Sequence, residues 1–188
     1  MKLSTLRVLA ISAMLSVSAV AGTAAYAENP MVGGAAMSET KDIIDNAVNS
    51  ADHTTLVAAV QAAGLVETLK GAGPFTVFAP TNEAFAMLPA GTVDTLLKPE
   101  NKATLTGVLT YHVVAGKILS TDLVKLITDN GGTFKAATVA GGELSFAIEG
   151  DKVVITDVAG GKSTVTIADV VQSNGVIHVV DHVLLPSM

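Results

Sequence analysis

Four histidines are the residues of this sequence best suited to catalysis or metal binding: His53, His112, His178 and His182. Residues 176–185 are mostly apolar and predict a β-strand, which would place His178 and His182 on the same face. Four residues at about 3.3 Å each separate them by roughly 13 Å, too far for both to bind one ion. A His-x-x-x-His pair chelates on a helix, so the sequence predicts no metal site here.

The carboxylate beside these histidines, Asp181, falls on the opposite face of that predicted strand. The local pattern therefore predicts no acid–base pair between Asp181 and either neighbouring histidine. His112 follows Tyr111 at the end of an apolar helical face. Buried polar groups are normally hydrogen-bonded, which favours an architectural role for His112. A contact surface formed by the Tyr111-His112 pair is the alternative that the sequence leaves open.

Two glycine-containing triplets resemble nucleotide-binding motifs without completing them. Gly161-Lys162-Ser163 lacks the glycine that a phosphate loop needs five positions earlier, because residue 156 is Thr. Gly71-Ala72-Gly73 lacks the third glycine of a dinucleotide fingerprint and leads into a strand. The serine-hydrolase pattern G-x-S-x-G is missing from the sequence. We therefore expect no enzyme activity and no cofactor.

The elements that would position these residues change character near residue 131. Before it, apolar residues repeat at helical spacing, most clearly at Leu105, Val108 and Leu109, which are followed by His112. After it, apolar residues alternate with a period of two, as in residues 144–148. An earlier apolar run at residues 74–79 predicts one buried strand among the helices. Helices first and antiparallel hairpins later predict an α+β fold.

The N-terminus predicts export from the cell. Lys2 and Arg7 precede an apolar run over residues 8–21, and Ala25-Tyr26-Ala27 supplies a cleavage site. The run of about 14 residues is shorter than the roughly 20 that span a bilayer. We therefore expect a cleaved signal peptide over residues 1–27 and no transmembrane anchor. Residues 28–37 lack an apolar period and predict a flexible leader, so the expected domain covers residues 38–187.

The composition of the mature chain excludes several classes of function. Loss of Lys2 and Arg7 would change the net charge from −6 to −8, and Arg7 is the only arginine. An acidic chain repels nucleic acids, and arginine is the usual residue for bidentate phosphate binding. The chain has no cysteine, so an exported fold must be stable without disulfides. We expect a periplasmic or secreted protein that does not bind nucleic acid.

Three stretches of the sequence resemble the fasciclin-domain family. Residues 76–85, TVFAPTNEAF, resemble its first homology box, and Tyr111-His112 resembles its tyrosine–histidine pair. Residues 174–186, which include Asp181, resemble its second box. His182 departs from the small polar residue that the family pattern has there. The resemblance covers residues 38–186, nearly all of the expected mature chain.

This resemblance implies a wedge or sandwich of about seven β-strands with several small helices. It also implies a non-catalytic adhesion module that binds a cell-surface or matrix protein or glycan. In animal relatives the tyrosine–histidine region and the second box are linked to integrin contact, which implies Tyr111, His112 and Asp181 as partner-binding residues. A periplasmic carrier that holds a small apolar ligand among its helices is the alternative. The oligomeric state stays open.

Overall fold

The computed structural model describes residues 29–186, so the predicted signal peptide lies outside the described residues. Short helices dominate the first two thirds of this range, and none of them has the length and apolarity needed to cross a membrane. The helices are α1 (Ile43–Ala47), α2 (Thr54–Ala63), α3 (Val66–Lys70), α4 (Asn82–Ala86), α5 (Thr92–Leu96), α6 (Lys102–Tyr111) and α7 (Ser120–Asp129), with 3₁₀ turns at Ala51–His53 and Pro99–Asn101. The strands are β1 (Met31–Val32), β2 (Ala35–Ala36), β3 (Phe75–Pro80), β4 (Val113–Ala115), β5 (Thr133–Ala137), β6 (Glu143–Glu149), β7 (Lys152–Thr156), β8 (Lys162–Gln172) and β9 (Gly175–Val180).

Strands β3 to β9 form one seven-stranded sheet in the order β4-β3-β9-β8-β7-β6-β5. Strands β3 and β9 run parallel, and the other neighbouring strands are antiparallel. The two ends of the sheet meet where Val114 bridges Thr138 and the Val139 N–H donates to the Val113 carbonyl at 2.8 Å. The sheet is therefore nearly closed, and the predicted α+β fold with seven strands is confirmed.

Strand β3 divides the apolar core into two clusters. Its Val77 and Ala79 belong to the cluster beneath α1, α2 and α6, whereas Phe78 belongs to the cluster beneath α7. Successive side chains of a strand point to opposite faces, so one short strand serves both clusters. The rings of Phe78 and Phe146 pack with centroids 5.3 Å apart. Burial on both faces explains why β3 is apolar at nearly every position.

Polar residues of the two homology boxes make hydrogen bonds that cap a helix and join neighbouring elements. Thr81 caps α4, because its hydroxyl accepts a hydrogen bond from the Ala84 N–H at 3.2 Å. Asn174 accepts from the Ile43 N–H at 3.1 Å and donates to the Leu69 carbonyl at 2.7 Å. The turn before β9 is thereby tied to α1 and α3. These polar residues of the two boxes therefore make contacts that hold the fold together.

The segment predicted as a flexible leader is ordered where the structure describes it. Strands β1 and β2 pair as an antiparallel hairpin, and the Ala51 N–H donates to the Gly33 carbonyl at 3.1 Å. Val32 and Met37 are 3% and 2% exposed and pack in the apolar cluster beneath α1, α2 and α6. Two isolated apolar residues give no periodicity, so the sequence pattern missed their burial. The structure therefore differs from the prediction over residues 31–37, while the predicted domain end at residue 187 stays a prediction.

The buried hairpin makes a stability prediction. We expect Val32→Ala to lower the free energy of unfolding by about 1–3 kcal/mol, because it removes two buried carbon groups and leaves a cavity. Urea unfolding followed by circular dichroism measures the change. Met31→Ala is the matched control, since Met31 is 59% exposed. Equal effects of the two substitutions would show that the hairpin does not pack on the core in solution.

Candidate interaction site

Tyr111 is buried beneath two surface turns. Its side chain is 0% exposed, its hydroxyl donates to the Glu143 carbonyl at 2.8 Å, and the Val158 N–H donates to that hydroxyl at 3.2 Å. A Cβ on Gly142 would lie 2.6 Å from the Tyr111 ring, so only glycine fits there. Burial raises the pKa of the Tyr111 hydroxyl, which keeps it neutral and able to donate. Tyr111 therefore ties the first residue of β6, which follows one turn, to Val158 in the other turn.

His112 is also buried, with 2% exposure. The Leu184 N–H donates to Nε2 at 2.9 Å, so Nε2 carries no proton and Nδ1–H donates to the Val108 carbonyl at 2.8 Å. Protonation would replace the Nε2 acceptor with a second donor facing the Leu184 N–H. Burial lowers the pKa of His112 to about 4, although the Val108 carbonyl favours the charged ring. The neutral ring thus joins α6 to the segment after β9.

These contacts define a surface that we call the turn surface, made of residues 138–142, 157–161 and 181–186. Asp157 ties two of its segments together, because its carboxylate accepts from the Gly161 N–H at 2.7 Å and the Leu185 N–H at 3.0 Å. Val139 and Val158 are 47% and 51% exposed on this surface. Sequence reasoning missed these two valines, since an exposed valine leaves no periodic signal.

The structure corrects the sequence analysis at Asp181. Strand β9 ends at Val180, so Asp181 and His182 leave the strand geometry and pair, with His182 Nδ1 and Asp181 Oδ1 2.7 Å apart. Partial burial raises the pKa of Asp181, but hydrogen bonds from the Thr164 N–H and from His182 outweigh it and hold the pKa below its usual value. The Asp181 side chain is 35% exposed, so it reaches the surface.

The three sequence-predicted residues therefore lie in one assembly but at different depths. Asp181 is on the turn surface, whereas Tyr111 and His112 are beneath it and support it. Their burial favours the architectural role over direct contact with a partner. Their hydrogen bonds reach Glu143 at the start of β6, the turn at Val158 and the segment at Leu184, so the pair fixes the position of these segments.

A second cluster contains the residue types of a hydrolase triad without its arrangement. The Asp169 carboxylate accepts from the Ser120 main-chain N–H at 2.6 Å and also from the Ser120 hydroxyl. His178 is 0% exposed, and its two ring nitrogens contact the Ile118 carbonyl at 2.8 Å and the Asp169 N–H at 3.3 Å. A serine nucleophile needs a free histidine nitrogen beside its hydroxyl. This cluster joins α7 to β8 and β9 and does not form that arrangement.

In the part of the chain that the structure describes, no group of side chains could hold a metal ion, and the apolar cavity beneath the helices is too small for a carried ligand. Within residues 29–186, no three His, Asp or Glu side chains lie close enough together to hold an ion. The apolar cavity between the helices and the sheet, lined by Leu56, Val60, Leu109 and His112, has a volume of about 30 Å³. Sites for small organic ligands have about 300–1,000 Å³. This cavity is therefore too small to hold the ligand of the predicted carrier.

The nearly closed seven-stranded sheet, covered by short helices and braced by a buried tyrosine–histidine pair, defines a class of α+β binding scaffold. The family described as "Fasciclin domain" matches residues 51–186. The chain belongs to the fasciclin-domain family, as the resemblance in its sequence implied.

Relatives from bacteria and animals share this domain. The chain is 45% identical to "Protein sll1483" of Synechocystis sp., with 97% of each chain covered. It is 36% identical to "Immunogenic protein MPB70" of Mycobacterium bovis over 74% of this chain and 66% of that protein. It is 37% identical to "Transforming growth factor-beta-induced protein ig-h3" of Sus scrofa, of which it spans only 17%.

A solved structure shares the fold. It is described as a FAS1 domain pair from the insect cell adhesion molecule fasciclin I, and it superposes with a TM-score of 0.69 at 20% sequence identity. The match covers 77% of this chain and 51% of that one. This chain therefore corresponds to about half of that two-domain structure.

The buried hydroxyl of Tyr111 makes the next prediction. We expect Tyr111→Phe to lower the free energy of unfolding by about 1–3 kcal/mol, because it leaves the Glu143 carbonyl and the Val158 N–H without their partner. Urea unfolding measures the change. His182→Ala is the surface control and should change the free energy by less than about 0.5 kcal/mol. A free energy of unfolding that Tyr111→Phe leaves unchanged would contradict the stabilising role of the hydroxyl.

The depressed pKa of His112 makes a pH prediction. The folded protein resists protonation below pH 6.5, whereas the unfolded chain binds a proton there, so stability falls as the pH drops from 6.5 to about 4. We expect His112 to account for about 3 kcal/mol of that loss. Urea unfolding of the wild type and of His112→Gln across this range gives the slope of the free energy of unfolding against pH for each protein. Parallel curves for the two proteins would contradict the prediction, because Gln does not titrate.

Proposed function

We propose that this protein is an exported, non-catalytic interaction module that binds a cell-surface or matrix protein or glycan through the turn surface. The observation that carries the proposal is the use of two buried polar side chains to fix three surface segments. Tyr111 and His112 use their polar atoms on the main chain at Glu143, Val158 and Leu184. A surface held by such internal braces is pre-organised, which lowers the entropy lost on binding.

The composition of the turn surface supports a protein or glycan partner. It combines the exposed apolar side chains Val139 and Val158 with the polar pair of Asp181 and His182. Interfaces typically surround a small apolar patch with polar groups that fix orientation. Asp181 keeps its negative charge over the whole physiological range, because its pKa lies below the usual value. A partner that offers a hydrogen-bond donor or a positive charge fits this surface best.

The comparisons support adhesion as the setting for this binding. The solved structure that shares the fold comes from a protein whose description calls it a cell adhesion molecule. The family match covers one such domain, which offers one turn surface. Clustering on a cell or in a matrix then raises the effective affinity. Export follows from the predicted signal peptide and places the module in the periplasm or outside the cell.

Retention of the purified protein on intact cells and on extracted matrix tests the proposal. We expect Asp181→Ala and Val158→Asp each to reduce retention at least about fivefold, because each alters the turn surface. The matched controls are Asp94→Ala, an exposed acid on α5, and Val48→Asp, whose parent valine is 51% exposed like Val158. Val158→Asp and the two controls should melt near the wild-type temperature, whereas Asp181→Ala loses the hydrogen bond from the Thr164 N–H and should melt slightly lower while staying folded.

Two outcomes would contradict the turn surface as the binding site. One is full retention of Asp181→Ala and Val158→Asp with both variants folded. The other is an equal loss of retention in the Asp94 and Val48 controls, which would indicate nonspecific adsorption. Absence of wild-type retention on cells, matrix polysaccharide and host surfaces alike would overturn the adhesion proposal as a whole.

A further inference from the structure

A second cleft lies at the other end of β9 from the turn surface. It has a volume of about 350 Å³, and its walls include Gly73, Lys117, Gln172, Ser173 and Gly175. It lies beside the start of β9, whereas Asp181 follows the end of that strand. Six residues at about 3.3 Å each put the two places roughly 17–20 Å apart along the strand. A ligand in this cleft therefore occupies a site independent of the proposed adhesion surface.

Gln172 is the unusual residue of this cleft. It is 4% exposed, and neither its Nε2 nor its Oε1 has a hydrogen-bond partner. Most buried polar side chains are satisfied, because an unpaired buried donor or acceptor destabilises the folded state. An apolar residue of similar size would avoid this cost at the end of β8. Both polar atoms are buried in the structure, so an occupant of the cleft would reach them only after the side chain rotates about its three bonds.

The charge of the cleft favours an anion. Among the residues that line it, Lys117 is the charged one, and no Asp or Glu is present. The cleft thus carries a positive charge, opposite in sign to the net charge of −6 of the chain. Lys117 is exposed, so its ammonium is accessible to a ligand carboxylate. Opposite charges within about 4 Å attract even near a hydrated surface.

The walls of the cleft are pre-formed by close main-chain packing. A Cβ on Gly73 would collide with the Asn174 carbonyl oxygen, and a Cβ on Gly175 would collide with the Phe75 carbonyl oxygen. The Asn174 side chain is held by its hydrogen bonds to Ile43, Leu69 and Gly71. These contacts leave the turn little freedom, so a ligand meets walls that are already in place.

We propose that this cleft binds a hydroxylated carboxylate, of the class of a uronic acid unit in an acidic polysaccharide. The carboxylate would accept hydrogen bonds from the Lys117 ammonium. A sugar hydroxyl both donates and accepts, so it satisfies the Oε1 and Nε2 of Gln172 together. The volume of about 350 Å³ suits a ligand of one or two sugar units. The ligand class goes beyond the proposed adhesion function, and its site does not use the turn surface.

Titration of the ¹⁵N-labelled protein with sodium D-glucuronate, followed by amide chemical shifts, tests this proposal. We expect saturable shifts at Gly73, Ser173, Asn174 and Gly175, with a Kd of about a millimolar for so small a ligand. Lys117→Ala should weaken binding about tenfold through loss of the ion pair. Lys152→Ala is the matched control, because Lys152 lines another cleft of about 350 Å³ between α7 and β7. It should leave the titration unchanged.

Two further ligands separate the contribution of the carboxylate from that of the hydroxyls. Methyl glucoside keeps the hydroxyls without the carboxylate, and acetate keeps the carboxylate without the hydroxyls. We expect both to bind at least about tenfold more weakly than glucuronate. Equal binding of acetate would overturn the sugar assignment, and equal binding of methyl glucoside would overturn the role of Lys117. Absence of saturable shifts at the cleft with glucuronate would overturn the site.

Substitution of Gln172 distinguishes a ligand-binding residue from a structural one. We expect Gln172→Met to raise the melting temperature by about 2–8 °C, since it removes two unpaired buried atoms, and to weaken glucuronate binding. A lower melting temperature with unchanged binding would show a structural glutamine and contradict the proposal. On cells and matrix from which acidic polysaccharide has been removed enzymatically, Lys117→Ala should keep full retention while Asp181→Ala loses it, so failure of one proposal is distinguishable from failure of the other.

Discussion

The parallel pairing of β3 with β9 is the constraint on which the rest of the structure depends. It joins residues about a hundred positions apart, Phe75 opposite Gly175 and Pro80 opposite Val180. Parallel strands slow folding because long loops must close first, so this pairing has to be supported by burial. The β9 residues are buried along the whole strand, and β3 separates the two apolar clusters. The helices, the closure of the sheet and both candidate binding regions are arranged around this pair.

Buried polar groups then convert the scaffold into defined surfaces. His112 connects α6 to residue 184, and His178 connects β9 to the loop before α7 through the Ile118 carbonyl. Each ring acts as a neutral donor and acceptor between main-chain groups far apart in sequence. Burial lowers the pKa of both rings and so keeps them neutral. A neutral ring can donate with one nitrogen and accept with the other, which lets it join two segments. The tyrosine–histidine signature is therefore recognisable because it builds the domain and fixes the position of the segments that its hydrogen bonds reach.

The two ends of β9 offer chemically different surfaces. At its end, Asp181 and two exposed valines give an acidic and partly apolar patch supported from beneath. At its start, Lys117 and an unpaired buried amide line a cleft without carboxylates. A buried polar group without a hydrogen-bond partner lowers the stability of the fold, and such groups are commoner at functional sites than elsewhere. The two proposed binding sites therefore lie at opposite ends of one strand and differ in charge.

The sequence by itself determined the fold class and the candidates Tyr111, His112 and Asp181, because apolar period and family motifs are local properties. It failed for the hairpin at residues 31–36 and for the pairing of Asp181 with His182, since both depend on where a chain segment packs and where a strand ends. Only the tertiary structure showed that Tyr111 and His112 are buried while Asp181 is exposed. Depth is decided by which segments cover a residue, and those segments come from distant parts of the chain.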